Sequence, residues 1–141
     1  MIDVVELIPG CAPTRAHAGD AGLDLRAHTR ETLAPGEMVM FGAGIRVAIP
    51  EQHVGLVFAR SGLSTKHGIV LANNVGVIDH GYTNEVMIPL LNAGDVPYTV
   101  EVGERVAQLV ILPIITPQVR LVDALPDSER GEGGFGSSGR D

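Results

Sequence analysis

A carboxylate, an aromatic ring and a glycine stand close together in GVIDHGYTNE, Gly76 to Glu85, where an apolar run stops at Asp79 and turns through Gly81 into Tyr82. A hairpin is expected there, with Gly81 supplying a positive backbone dihedral and with Asp79 and Tyr82 exposed at the tip, available for chemistry. Taken alone, the stretch reads better as an ordinary turn with a solvated Asp and a half-packed Tyr. RSGLSTKHG, Arg60 to Gly68, joins a fixed cation, a hydroxyl and a glycine, the parts needed to hold phosphate oxygens. It reads also as a capped turn with Ser61 starting a short helix, and the two are compatible because helix N-termini bind anions. Gln108 sits among apolar neighbours in RVAQLVI and must be satisfied by a core hydrogen bond or by a ligand. Near the C-terminus, Arg130, the glycines around Phe135 and the pair Ser137-Ser138 could wrap a phosphorylated aromatic ligand.

Short strands must position these groups. In AGDAGLDLRA, Ala18 to Ala27, Leu23 and Leu25 alternate with Asp24 and Arg26, so a strand would turn its leucines to the core and Asp24 away from it. Val4 to Ile8 looks like an opening strand, and Pro13 to Asp20 like a loop. A Pro35-Gly36 turn leads into Met38 to Phe41, and Gly44 to Ile49 alternates until Pro50. The continuous run Val54 to Ala59 is the pattern of a strand covered on both faces, and it delivers Arg60 at its end. Ile69 to Ala72 precedes the hairpin. Val86 to Leu91 is its return arm, where Pro89 predicts an edge or a bend. Tyr98 to Val100, Arg105 to Ile111 and Gln118 to Val122 complete the expected strands.

The chain has 141 residues, enough for one domain with a real core and too few for two ordinary ones. We expect a β domain over 1–125 and a glycine-rich arm over 126–141. From Pro126 the arm has almost no apolar residue except Phe135, so it should be mobile until a ligand orders it. Aromatics are only 4% against 45% hydrophobic, so the core must be Val, Ile, Leu and Ala. A formal net charge of -7 argues against a nucleic-acid surface. No apolar run is long enough for a bilayer and no basic leader opens the chain, so a cytoplasmic protein without a membrane partner is expected. Cys11 is the only cysteine, which excludes an intrachain disulfide and fits a reducing compartment. The five histidines lack ligand spacing, and no G-x-S-x-G elbow, dinucleotide fingerprint or P-loop is present.

The order of five stretches, AGDAGLDLRA, RSGLSTKHG, GVIDHGYTNE, GERVAQLVI and RGEGGFGSSG, resembles that of the homotrimeric deoxyuridine triphosphatases (dUTPases) nearly from end to end. Asn84 stands where that family more often has glycine. The resemblance implies an all-β, jelly-roll-like β-barrel or β-clip fold, a homotrimer with a C-terminal strand, and active sites that draw on all three chains. It also implies Mg2+-assisted hydrolysis of dUTP to dUMP and pyrophosphate, lowering dUTP and supplying dUMP for dTMP synthesis.

Residue roles follow from the resemblance. Asp79 would orient the attacking water and take its proton. Asp24 would hold Mg2+ through the ion's water shell. Arg60, Ser61, the Gly62 amide and Gln108 would grip the phosphates, with Arg130 reaching the γ end. Phe135 would stack on the uracil, next to Gly136 and Ser137. The backbone between Asn73 and Ile78, including Val77, would read the base with Met87 on the return arm, and Tyr82 under the sugar would exclude a 2′-hydroxyl. Two alternatives differ in outcome: dCTP deamination on a related fold would release ammonia, and a nucleotide-responsive interaction protein would bind dUTP without releasing pyrophosphate.

Overall fold

Alternating sequence produces alternating burial: Leu23 and Leu25 are in the core while Asp24 and Arg26 lie half-buried on the opposite face. The computed structural model describes residues 1–128. Within them the elements run β1 (Asp3–Glu6), β2 (Leu23–Arg26), β3 (Glu31–Leu33), β4 (Met38–Gly42), β5 (Ile45–Ala48), β6 (His53–Ala59), α1 (Ser61–His67), β7 (Ile69–Leu71), β8 (Gly76–Ile78), β9 (Met87–Asn92), β10 (Tyr98–Val100) and β11 (Arg105–Pro113). Every pairing is antiparallel, in sheets ordered β1-β5, β10-β3, β2-β11-β6-β8 and β4-β9-β7. This is the all-β, jelly-roll-like architecture that the resemblance implies, built of the short strands expected from many turn glycines. No helix among the described residues is long and apolar enough to cross a membrane.

Aliphatic side chains from all four sheets meet in one core, in which Phe41 is the only aromatic among the described buried residues. The one buried polar side chain there, Asn92, is fully satisfied. Its Nδ2 donates to the carbonyls of Leu33 at 3.0 Å and Val96 at 2.8 Å, and its Oδ1 accepts from the Gly94 amide at 3.0 Å. Such an amide ties β9 to β3 without leaving an orphaned donor. Cys11 is buried, and burial first, then the nearby Glu6 carboxylate, pushes its thiol up, away from the reactive thiolate. It is a packing residue.

Several expectations need correction. The stretch around Asp79 is not a hairpin: β8 pairs with β6, while β9 pairs with β4 and β7, so the connection crosses from one sheet to another. Its turn survives, with Gly81 at φ +90° and the Tyr82 amide donating to the Asp79 carbonyl at 3.1 Å. Strand β9 is also no edge, since it lies in the middle of its sheet. Pro89 is tolerated because its carbonyl, accepting from Ala72 at 2.9 Å, faces the β7 side just beyond the end of that strand. A residue's amide and carbonyl point to the same neighbour in an antiparallel ladder, so the missing N–H removes one bond, and only at the end of the β7–β9 pairing. Strand β6 is paired on both edges, yet Leu56 and Phe58 leave its second face only half-buried. Gln118 to Val122 forms no strand, because no sheet edge of the same chain pairs with it.

Candidate functional site

Sheet register gathers the first group of polar residues. Strand β11 pairs with β2 so that Gln108 lies opposite Asp24, and with β6 so that Gln108 lies opposite Phe58. Arg60 emerges where β6 ends, and Arg105 opens β11 beside a register shift between Arg105 and Ala107. Such irregularities re-aim side chains. Gly22 makes room for Gln108, since a Cβ there would stand 2.4 Å from its Oε1. The result is a cavity of about 370 Å³ lined by Asp24, Arg60, Ser61, Gly62, Arg105 and Gln108, with Asp20 at its side.

Asp24 is the hub of this cavity. Its Oδ1 accepts from Arg60 Nε at 3.1 Å and its Oδ2 from an Arg105 terminal nitrogen at 2.9 Å, with the carboxylate only 14% exposed. A second Arg60 nitrogen donates to the Arg105 carbonyl at 2.9 Å. The guanidinium is therefore held in one orientation while part of its five-donor fork stays free for an anion. Gln108 Nε2 donates to the Ala59 carbonyl at 3.1 Å, leaving its Oε1 and second N–H for other partners. Helix α1 begins at Ser61, as the alternative reading of this stretch has it, but with Arg60 as an extended N-cap residue and no side-chain cap. The first amides of a helix have no partner inside it.

A second cavity, of about 190 Å³, is lined by Val57, Asn73, Val77, Ile78, Tyr82 and Met87, with Gly76 and Val86. Asn74 adopts φ +61° in the turn that carries Asn73 into it, and the Val75 amide donates to the Asn73 carbonyl at 2.7 Å. Tyr82 is fixed by its hydroxyl, which donates to the Glu85 carbonyl at 2.8 Å. At the other end of this loop His80 Nδ1 lies 2.7 Å from the Ile49 carbonyl, so Nδ1 carries the proton and His80 anchors the loop. Asp79 is exposed, and among the described residues its carboxylate has no hydrogen bond or ion pair.

The structure thus brings Asp24, Arg60, Ser61, Gly62 and Gln108 together in one cavity, and Asn73, Val77, Ile78, Tyr82 and Met87 in another. The two share no lining residue, and Asp79 lines neither. Arg130, Phe135, Gly136 and Ser137 lie outside the described residues. Arg105 was missed by the sequence reading. The available signal was its place at the head of the same strand as Gln108, where a cation beside a polar interruption marks a strand end facing a ligand.

The residues fit a metal only in part. Among the described residues no group of three or more His, Cys, Asp and Glu is gathered to cage an ion. Both Asp24 oxygens are already engaged by guanidinium groups, which disfavours direct ligation, but each retains a lone pair for a metal-bound water. Within the cavity Asp20 and Asp24 balance Arg60 and Arg105 in formal charge. A polyanion entering it meets no net positive charge, which favours a divalent cation entering with it.

Residues 9–139 match the dUTPase family. The chain is 44% identical over 142 residues to the deoxyuridine 5'-triphosphate nucleotidohydrolase of Leifsonia xyli subsp. xyli, covering 99% of this chain and 93% of that protein. It is 48% identical over 131 residues to the protein of that name from Alcanivorax borkumensis, covering 91% and 87%. Among solved structures, a mutant dUTPase of Staphylococcus bacteriophage 80alpha with dUpNHpp superimposes with a TM-score of 0.91 at 34% identity, covering 99% of this chain and 98% of that one. A mutant dUTPase from phage phi11 of S. aureus, described with a structural Mg(II) ion, matches with a TM-score of 0.83 at 28% identity, covering 90% of this chain and 99% of that one.

Proposed function

The chain belongs to the dUTPase family, and from that membership we propose that it hydrolyses dUTP to dUMP and pyrophosphate by attack of water at the α-phosphorus. The observation that carries this reading is the cavity around Asp24, where two arginines, a serine, a glycine and a glutamine from separate motif stretches converge. Arg60, Arg105, Ser61, the Gly62 amide and Gln108 bind the triphosphate and fix its bend. Asp79 orients the water and accepts its proton while the bond from the α-phosphorus to the bridging oxygen breaks. Mg2+, when bound, neutralises charge on the phosphate oxygens, and Asp24 holds it through its waters. The backbone from Asn73 to Ile78 reads uracil beside Met87, and Tyr82 lies under the deoxyribose. Arg130, Phe135, Gly136 and Ser137 close over the nucleotide from the 126–141 arm.

A homotrimer belongs to this proposal. The two cavities that would hold phosphates and base share no lining residue within one chain, which supports a site completed by another copy. Met38, Met40 and Met87, 51%, 51% and 43% exposed, lie with Pro89 and Leu91 on the outer face of the β4-β9-β7 sheet, where the register puts Met38 opposite Leu91, Met40 opposite Pro89 and Met87 opposite Gly42. An apolar face of this kind marks an interface. Ile115, Val119 and Leu121 are similarly uncovered in the segment after β11, and a second copy would supply the sheet edge they lack. A cytoplasmic location is part of the same reading.

Pyrophosphate release from dUTP, compared with dCTP, dTTP and UTP, tests the reaction. Release from dUTP far above the other three is expected, and equal rates on all four would end the specificity claim. Gly62→Ala gives a second expected result. A Cβ there meets nothing within 4 Å and projects into open cavity space, so the protein tolerates it and gains up to about 1 kcal/mol of helix stability. The same methyl crowds the phosphates. KM for dUTP should rise about tenfold while the thermal midpoint stays level or increases. Unchanged KM would remove Gly62 from the phosphate site.

A further inference from the structure

We propose that Glu85 and His28, which lie outside both cavities, position Tyr82 and thereby set the discrimination between deoxyribose and ribose nucleotides. The proposal rests on the sugar-facing role assigned to Tyr82 above. Glu85 Oε1 accepts from the Gly44 amide at 2.8 Å and stands 3.1 Å from His28 Nε2, with the two side chains 31% and 23% exposed. The carbonyl of the same residue receives the Tyr82 hydroxyl at 2.8 Å. One residue thus grips the body of the domain with its side chain and the pocket wall with its backbone.

The surroundings are shaped for this clamp. A Cβ on Gly42 would stand 2.3 Å from Glu85 Oε1 and 2.5 Å from His28 Nε2, so the absence of a side chain at Gly42 is what admits the pair. Next along the chain, Val86 is bonded on both sides, its amide to the Ile45 carbonyl at 3.0 Å and its carbonyl to the Ala43 amide at 2.9 Å. Because the Glu85 carbonyl and the Val86 amide share one planar peptide, the bond to Ile45 holds that carbonyl from the β9 side. The carboxylate adds a second hold on the same residue from the other side, through the Gly44 amide and His28, elements of two other loops. Tyr82 reaches the pocket from an exposed turn with one glycine, and the Glu85 carbonyl is the one described hydrogen-bond partner of its hydroxyl. A shift of that carbonyl moves the ring directly, and displacements of about 1 Å are enough to alter discrimination.

Steady-state kinetics of the full chain on dUTP and UTP test the proposal. In Glu85→Ala the ratio of kcat/KM for dUTP over UTP should fall about tenfold, mainly through a higher KM for dUTP, with kcat changed less than about threefold. Glu85→Gln keeps an acceptor for Gly44 and an amide for His28, and should restore the ratio to within about threefold of the unmodified protein. Gly42→Ala should reproduce Glu85→Ala, because its methyl displaces the carboxylate without changing Glu85. If Glu85→Ala does not fold, His28→Ala, which gives up one bond of the two, carries the test with an expected fall of about threefold. An unchanged ratio in Gly42→Ala and His28→Ala overturns the proposal, as does an equal loss of kcat on both nucleotides, the mark of a merely structural role. Failure of the functional reading is recognised separately: the unmodified protein would then show no preference for dUTP over UTP.

Discussion

Asp79→Asn is expected to lower kcat for dUTP by about two to four orders of magnitude, the usual contribution of a positioned general base. Nucleotide affinity should not fall. Asparagine keeps the shape of the side chain, and removing one negative charge beside a tetra-anionic substrate can only ease binding. Nor should stability change, because Asp79 is exposed and its carboxylate has no hydrogen bond or ion pair among the described residues. Substitutions at such positions usually stay within about 0.5 kcal/mol. Single-turnover rates, equilibrium nucleotide binding and the thermal midpoint together separate the outcomes. A loss of affinity would make Asp79 a structural or substrate-gripping residue, and retained turnover would place the proton acceptor elsewhere.

The isolation of Asp79 also shows what the sequence could reveal. Strand β2 was legible because Leu23 and Leu25 share one face and Asp24 takes the other, and the turn at Asp79 because Gly81 stands where φ is +90°. The partner of the turn was not legible. A short apolar run followed by a tight turn has the same local pattern whether the chain returns along the same sheet or crosses to the next, and here β8 and β9 belong to different sheets. Pro89 misled for a related reason: its lost donor faces the last pair of the β7–β9 ladder, where one missing bond leaves the rest of the sheet intact.

For the candidate site, residue type sufficed where one stretch supplies neighbouring residues to the cavity, as in Arg60, Ser61 and Gly62. It failed where function depends on register. Nothing in the local sequence around Arg105 says that it meets Asp24 across β2 and β11, and the Asp24 contact with both arginines exists only after β11 is placed between β2 and β6. That contact changes the reading of Asp24 itself. The carboxylate assigned to a metal's water shell also holds Arg60 and Arg105 in place, so Asp24→Ala would disturb phosphate binding even where no metal is involved.

Deleting the chain after Pro126 should leave a folded protein of unchanged oligomeric size while lowering kcat/KM for dUTP by about a hundredfold or more. Folding is spared because no described residue beyond Leu109 belongs to the buried core, and the described segment from Pro126 to Ser128 is exposed. Activity falls because the deletion removes Arg130, which would neutralise the γ end of the triphosphate, and Phe135, whose stacking would exclude water from the base; each is worth about 1–3 kcal/mol when desolvated. Full turnover in the shortened protein would remove the arm from the site. Mixing supplies the sharper result. Arm-deleted chains and Asp79→Asn chains, denatured together and refolded, should regain activity above the sum of the two separately, since a mixed trimer can pair an intact Asp79 with an intact arm. That gain appears only if the two come from different chains, so a strictly additive result would confine each site to a single copy.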